Sequence, residues 1–444
     1  MQTEVGPFVL RRPRGTRDYL PEEMKVREQV IEKFKKTFEL YGYGEVLTPA
    51  FEHLELLEAK AGPEVKEQIY WFTDKAGRKL GLRFELTTPI ARIVATKPEI
   101  PKPIRFYYVA PVWRYEEPQR GRLREFWHAG VELIGSKYVE GDAEVIALMY
   151  RALKNVGLDN VIVKLGERRI AEALADKVGV KSYKKDDFFR AIDKLDKLGI
   201  EGVIQWLTKI GLSKSQIELV IDFITIKGSN EDKLSKAQEI LDSEKASEAI
   251  KGLEELITLL IEGYCLPKDS LIVDFGIVRG LAYYTSLVYE AIVPDVTEVG
   301  SVAGGGRYDD LIKLVGGPNL PATGMAIGVE RVIEALLIKE KVKIETTNDI
   351  VLVAPTSLDI YKEALKIAEK LRNNNIPVQC NVMRRKLASL LEHADKVGVP
   401  YTIIVGPREL KEGKVVLRDM IKREQKVMKI DELINYLKTK LSPE

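Results

Sequence analysis

Two ten-residue apolar runs, IRFYYVAPVW (104–113) and FWHAGVELIG (126–135), stand on either side of the charged stretch RYEEPQRGRLRE. Both runs are rich in β-branched and aromatic residues, and Pro118 and Gly121 punctuate the stretch between them. This reads as two strands joined by a loop. Few other arrangements of these residues would bury so much aromatic surface, so the chain needs a sheet around this hairpin. The tip carries four arginines and three glutamates, counted from Arg114 to Gly130. A crowded tip of this kind is either a solvated surface loop or a place where arginine forks, steadied by carboxylates, grip an anion.

The rest of the chain supplies the sheet. Helical periodicity from Met24 to Tyr41 ends at Gly42 and Gly44. The strand-like stretches YGEVLTP, QIYWFTD and KLGLRFELTTP follow, and DAEVIALMYRALKNVG returns to a helix after the hairpin. Strands with helices in this order predict an α+β domain built on a mostly antiparallel sheet. Residues 170–265 are helix-periodic and rich in Lys, Glu and Asp, which predicts a helical insertion. The β signal resumes at Ser270, and a helix begins near Gly328. Residues 338–347 read as a linker. From 348 to 444, DIVLVAP, YKEALKIAEKLRNNN, IPVQCNV, LASLLEHADKVG and YTIIVGP alternate strand and helix, predicting a separate α/β domain. This end is the basic one: from Thr346 onward it holds 18 Lys and Arg against 13 Asp and Glu.

Composition narrows the function classes. The 444 residues carry a formal net charge of +2, which argues against indiscriminate coating of nucleic acid. No apolar run approaches the roughly 20 residues needed to span a bilayer. The two cysteines, Cys265 and Cys380, form no disulfide framework, and the N-terminus lacks a signal-peptide pattern, so a cytoplasmic location is expected. Three histidines without a CxxC pair give no zinc spacing, and no metal site is expected from the protein alone.

Three constellations carry chemistry. Arg114 and Glu116 sit two apart at the predicted strand end and should share one face of the pleat, with Arg122 and Arg124 adding charge and Phe126 free to stack on a base. In VRGLAYYTSLVYE (278–290), Arg279 opens a strand-like run, with Tyr283 and Tyr284 expected on opposite faces. In SVAGGGRYDDL, three consecutive glycines call for bare backbone, through a positive φ or a close-packed ligand. GxGxxG is absent and no Gly-Lys-Ser/Thr follows, so neither a dinucleotide fingerprint nor a P-loop fits.

Together these stretches resemble the histidyl-tRNA synthetase family of class II aminoacyl-tRNA synthetases over nearly the whole chain. RPRGTRDYLP opens the match. GYGEVLTPAFEHLELL resembles motif one of the class, FYYVAPVWRYEEPQRGRLREF motif two and ATGMAIGVERV motif three. VRGLAYYT and AGGGRYD resemble the two stretches particular to the histidine enzymes, and VLVAP through YTIIVG resembles the anticodon-binding domain. The resemblance implies a catalytic domain over 1–337 and an anticodon-binding domain over 348–444. It implies ATP as substrate with Mg²⁺, L-histidine and tRNA-His as partners, and a homodimer.

Residue roles follow from the same resemblance. Arg114 and Arg279 would act on the α-phosphate, and both would also contact histidine. Glu116, Arg122 and Phe126 would hold the adenine end, while Arg331 would reach the γ-phosphate. Glu85 and Thr87 would take the substrate ammonium. Glu132, Tyr283 and Tyr284 would read the imidazole, with Gly304 and Gly305 as bare backbone beneath the substrate. His128 stands where many members carry glutamine, and Gln119 would meet the extra 5′ guanosine of tRNA-His. A non-catalytic synthetase-like subunit that senses histidine would share this fold, but retention of Arg114, Arg279 and Arg331 speaks against it.

Overall fold

The computed structural model describes residues 10–59, 63–118, 121–278, 283–344 and 350–441, in two compact units divided between Lys343 and Ile344. In the first unit, helix α1 (Pro21–Leu40) precedes β1 (Gly44–Glu45), β2 (Phe51–His53), β3 (Trp71–Thr73) and β4 (Lys79–Leu82). The hairpin strands are β5 (Ile104–Trp113) and β6 (Glu125–Ile134), followed by β7 (Ile162–Glu167), β8 (Leu271–Val273), β9 (Leu287–Ile292), β10 (Ala303–Arg307) and β11 (Ala322–Gly328). An eight-stranded sheet has the order β1-β5-β6-β11-β10-β9-β7-β8. Its inner pairs are antiparallel and only the outermost pairs, β1 with β5 and β7 with β8, are parallel. A small antiparallel sheet, β2-β4-β3, stands apart from it.

Period-two alternation decides which side of the large sheet each residue serves. Ala129, Val131 and Leu133 of β6 and Tyr107 of β5 enter the main core, with Phe34 and Phe38 of α1 and Ile146 and Met149 of the helix Val139–Asn155. Their neighbours Tyr108 and Ile134 enter a second cluster on the opposite face with Leu86, Ile90, Tyr283, Tyr284 and Tyr308. That alternation sends Phe126, His128 and Glu132 to the second face. The helical insertion runs from Arg168 to Gly263, so the expected 170–265 span is close to the observed one.

The sequence reading of VRGLAYYTSLVYE needs correction. The strand begins only at Leu287, and Tyr283 and Tyr284 precede it. The two rings do not take opposite faces: their centroids lie 4.9 Å apart in one buried cluster. Likewise β5 ends at Trp113, so Arg114 and Glu116 belong to the loop. Glycines and prolines aside, an apolar run has a strong tendency to read as one long strand, and the chain here turns instead to bring both tyrosines inward.

The second unit holds β12 (Val351–Pro355), β13 (Val378–Cys380), β14 (Tyr401–Val405), β15 (Lys414–Asp419) and β16 (Gln425–Lys429), in the order β13-β12-β14-β15-β16. Strands β13, β12 and β14 are parallel, and β14, β15 and β16 run antiparallel. Helices Tyr361–Arg372 and Ile430–Leu441 pack with Val351 and Val353. The helix Leu387–Lys396 packs on the other face with Leu352 and Ala354. The final hairpin escapes a simple strand-helix reading because its outward face mixes Val416 and Val427 with Lys414, Arg418, Gln425 and Lys429.

Candidate active site

A cavity of about 210 Å³ opens on the second face of the large sheet, and most of the singled-out residues line it. Its basic end is built by the loop after β5 and by the helix Val329–Ile338, which follows β11 without a break. Arg114 donates from Nε to the Phe84 carbonyl at 2.9 Å, which fixes its fork, and its guanidinium lies 5.3 Å from the Phe126 ring centre. Arg122 is bonded to the Glu116 carboxylate. Arg331, in the first turn of that helix, donates to the Ser301 carbonyl at 2.5 Å. All three guanidiniums face one cavity. Burial lowers the Arg331 pKa, and the Arg122 and Arg114 charges lower it further. Burial works against the Glu116 charge, yet its bond to Arg122 and the charges around it hold its carboxyl below the usual range. Three gathered cations, balanced in part by Glu116 and Glu290, favour an anionic ligand.

Behind this end, Glu330 accepts from the backbone N–H of Trp127 at 2.8 Å and from Arg27 of α1 at 2.7 Å. The pair is almost fully buried, with side-chain exposures of 3% and 9%. It joins residues 303 apart in sequence, and nothing in the local pattern announces it. Removing one partner would strand a buried charge beside Arg331.

The other end of the cavity is aromatic and acidic. Glu85 accepts from the backbone N–H of Thr87 and, at 3.0 Å, from that of Thr88, capping the helix Thr87–Thr96. Burial raises the Glu85 pKa, against the pull of those bonds. Glu132 is not itself on the cavity wall. It sits behind Thr87, Tyr108 and Tyr308, which are: Thr87 Oγ1 donates to it at 2.8 Å, Tyr108 at 3.3 Å, and the Tyr308 hydroxyl is bonded to it as well. Burial pushes its carboxyl up to about 8 even so. Tyr108 and Tyr308 were not singled out from the sequence. A glutamate inside an apolar strand demands donors, and buried tyrosine hydroxyls are the usual ones, so the signal was present.

His128 lines the cavity with its ring 5.2 Å from that of Phe126, edge to face. Gly304 is on the wall, but Gly305 is not. A Cβ at Gly305 would meet the Gly324 carbonyl oxygen at 2.1 Å and the Tyr289 hydroxyl at 2.6 Å, so this glycine serves strand packing on the far face instead of bare backbone under a ligand. Gly324 has its own reason: a Cβ there would fall 1.8 Å from the Glu132 carboxylate. Arg279 and Gln119 lie outside the described residues. Arg124, expected to add charge to the cavity, does not line it.

The raised Glu132 pKa has a measurable consequence. Its folded value of about 8 lies above the usual carboxyl value of 4.5, so the folded state holds one proton more between those pH values. Stability therefore falls as pH rises through that window, by on the order of 5 kcal/mol if the whole shift is expressed. Glu132→Gln is expected to flatten this decline. Denaturant midpoints at pH 5 and pH 8.5 measure it, and equal slopes in both proteins would refute the assignment.

An antiparallel sheet with a hairpin-borne arginine, a helix-borne arginine following the last strand, and a buried acidic pocket between them is the architecture of a class II aminoacyl-tRNA synthetase. Residues 15–332 match the Histidyl-tRNA synthetase family and residues 350–440 the Anticodon binding domain family. A histidine–tRNA ligase of Pyrococcus furiosus is 46% identical over 98% of this chain and 100% of its own length. One of Methanocaldococcus jannaschii is 40% identical over 96% of this chain and 99% of its own. The crystal structure of a histidyl-tRNA synthetase from a Nostoc species superposes with a TM-score of 0.79 at 26% identity, covering 97% of this chain and 99% of that one. The chain belongs to the histidyl-tRNA synthetase family.

Proposed function

We propose that the cavity activates L-histidine with ATP, so that the chain acts as a histidine–tRNA ligase and passes the activated histidine to the 3′ end of tRNA-His. The observation that carries this reading is the placement of Arg114, Arg122 and Arg331 at one end of a cavity whose other end is closed by Glu85, Thr87 and the tyrosines. In this reaction the histidine carboxylate attacks the α-phosphorus in line and pyrophosphate departs. Negative charge grows on the equatorial oxygens, and preorganised cations meet it there without reorganisation. Arg114, anchored on the Phe84 carbonyl, is the cation so placed; family resemblance adds Arg279. Arg331 takes the γ-phosphate, and Arg122 with Glu116 and Phe126 holds the adenine end.

ATP arrives as its magnesium complex. Among the described residues no cluster of three His, Cys, Asp or Glu is arranged to hold a metal alone. Glu290, on the wall and felt electrostatically by Arg331, would suit an ion that takes its remaining ligands from phosphate and water. Glu85 and Thr87 hold the substrate ammonium, and Tyr283 and Tyr284 close over the imidazole. Glu132 reaches the imidazole only through the hydroxyls bonded to it. A buried polar pocket of this kind rejects analogues that leave a donor unpaired. ATP–pyrophosphate exchange with each amino acid in turn tests the reading, with exchange expected for histidine alone.

The basic second unit binds the anticodon stem-loop of tRNA-His, and Gln119 meets its extra 5′ guanosine. The described residues include no helix long and apolar enough to cross a membrane; the enzyme is placed in the cytoplasm by its expected partners alone. A homodimer accounts for apolar side chains left in solvent around the motif-one segment. Leu47 is 77% exposed, and Phe51 and Phe72, 50% and 42% exposed, pack ring against ring at 6.2 Å on the small sheet. Aromatic surface of this kind belongs under a partner. Light scattering at assay concentration is expected to give twice the chain mass; an active monomer would contradict it.

A further inference from the structure

The loop after β5 carries Arg114, Glu116 and Arg122 on its cavity side, and bonds from outside the hairpin join those within it in holding it. At its base Arg114 N–H donates to the Arg124 carbonyl at 2.9 Å. Arg124 then does three other things, none of them toward the cavity. Its N–H donates to the Gly15 carbonyl at 2.7 Å. Its Nε donates to the Glu116 carbonyl at 2.9 Å, and its guanidinium lies over the Tyr115 ring, 4.2 Å from the centre. The Tyr115 N–H is tied in turn to the Gln68 carbonyl at 2.8 Å.

Gly15 fits only as glycine. Its φ is +82°, and a Cβ there would meet Arg124 Cγ and Cδ at 2.7 and 2.8 Å and Pro118 Cγ at 2.9 Å. The proline ring cannot yield, and the Arg124 stem is pinned at both ends. The turn that presents Gly15 is closed by Thr16, which donates to the Pro13 carbonyl from its N–H at 3.1 Å and its hydroxyl at 2.8 Å. The Arg14–Glu117 ion pair adds a solvent-exposed link of small energetic weight.

We propose that the N-terminal turn Pro13–Thr16, through the contact of Gly15 with Arg124, is a brace that positions Arg114, Glu116 and Arg122 for the nucleotide. This rests on the reading of the basic end as the ATP site. Arg124 is accordingly a positioning residue and not a phosphate ligand, and the N-terminal stretch shapes one substrate's pocket without touching it.

The effect should divide the two substrates. Displacing a clamping group by about 1 Å costs on the order of 10²-fold in rate. Gly15→Val is therefore expected to lower kcat/KM for ATP in pyrophosphate exchange by about that factor. The KM for histidine should stay at the wild-type value, since Glu85, Thr87 and Tyr283 lie outside the brace. Arg124→Leu should give the same split, and it carries the test should Gly15→Val fold poorly. Arg124→Lys decides between positioning and charge: a lysine restores positive charge but cannot reach the Glu116 carbonyl and cover Tyr115 together. No rescue by lysine supports the brace, and rescue overturns it. An equal rise in KM for ATP and for histidine, or a wild-type kcat/KM for ATP in both Gly15→Val and Arg124→Leu, also overturns it. Arg114→Ala run in parallel separates the two readings. If it too leaves exchange intact, the nucleotide assignment fails; if it abolishes exchange while the brace variants do not, only the brace fails.

Discussion

Arg114→Ala is expected to lower the rate of histidyl-adenylate formation by 10²–10³-fold, equivalent to about 3–4 kcal/mol of transition-state stabilisation. The guanidinium is half-buried on the cavity wall, and its Nε is spent on the Phe84 carbonyl. Such a group loses its hydration in the free enzyme and recovers interaction as charge builds on the phosphate. The loss should therefore fall on kcat more than on the KM of either substrate. The fold should survive, because alanine removes one cation from a cluster of like charges, relieving Arg331. Pre-steady-state adenylate formation, with circular dichroism as the control for folding, reads both. Near-wild-type adenylation would remove Arg114 from the phosphate.

The second large effect concerns the basic second unit. Residues 1–343 and 344–444 are separately compact, and the latter has its own cores on both faces of its sheet. A chain cut after Lys343 is expected to retain histidine-dependent exchange while losing on the order of 10³-fold in kcat/KM for tRNA-His, the scale of several forfeited phosphate contacts. The loss should appear in the KM for tRNA, and the remaining affinity should vary less steeply with salt. Sizing the truncated protein first tells whether it is a dimer. A truncated dimer that charges tRNA-His as well as the full chain would show that the second unit has another task.

Much of this was legible from local pattern. The strands β5 and β6, the helical insertion and the strand-helix alternation of the second unit all follow from periodicity, because a half-buried element repeats its burial every two or nearly four residues. Motif resemblance singled out Arg114, Arg122, Arg331, Glu85 and Thr87, all of which line one cavity. What stayed hidden depends on contacts between distant residues. Arg27 with Glu330, Tyr308 with Glu132 and Gly15 with Arg124 each join positions more than a hundred apart, and no short window encodes such pairs. Gly305 misled for the opposite reason. Three adjacent glycines look equivalent in sequence, while strand alternation sends Gly304 to the cavity and Gly305 against Tyr289. Arg124 looked like one more phosphate cation because charge is visible in sequence and direction is not.

ATP–pyrophosphate exchange by the purified full chain, with each of the twenty amino acids supplied singly, tests whether the cavity selects histidine and activates it with ATP. Exchange is expected to depend on histidine and on added magnesium, with the other amino acids at background and histidyl-adenylate as the species formed. Exchange with a different amino acid, or none with any while histidine still binds, would contradict this assignment.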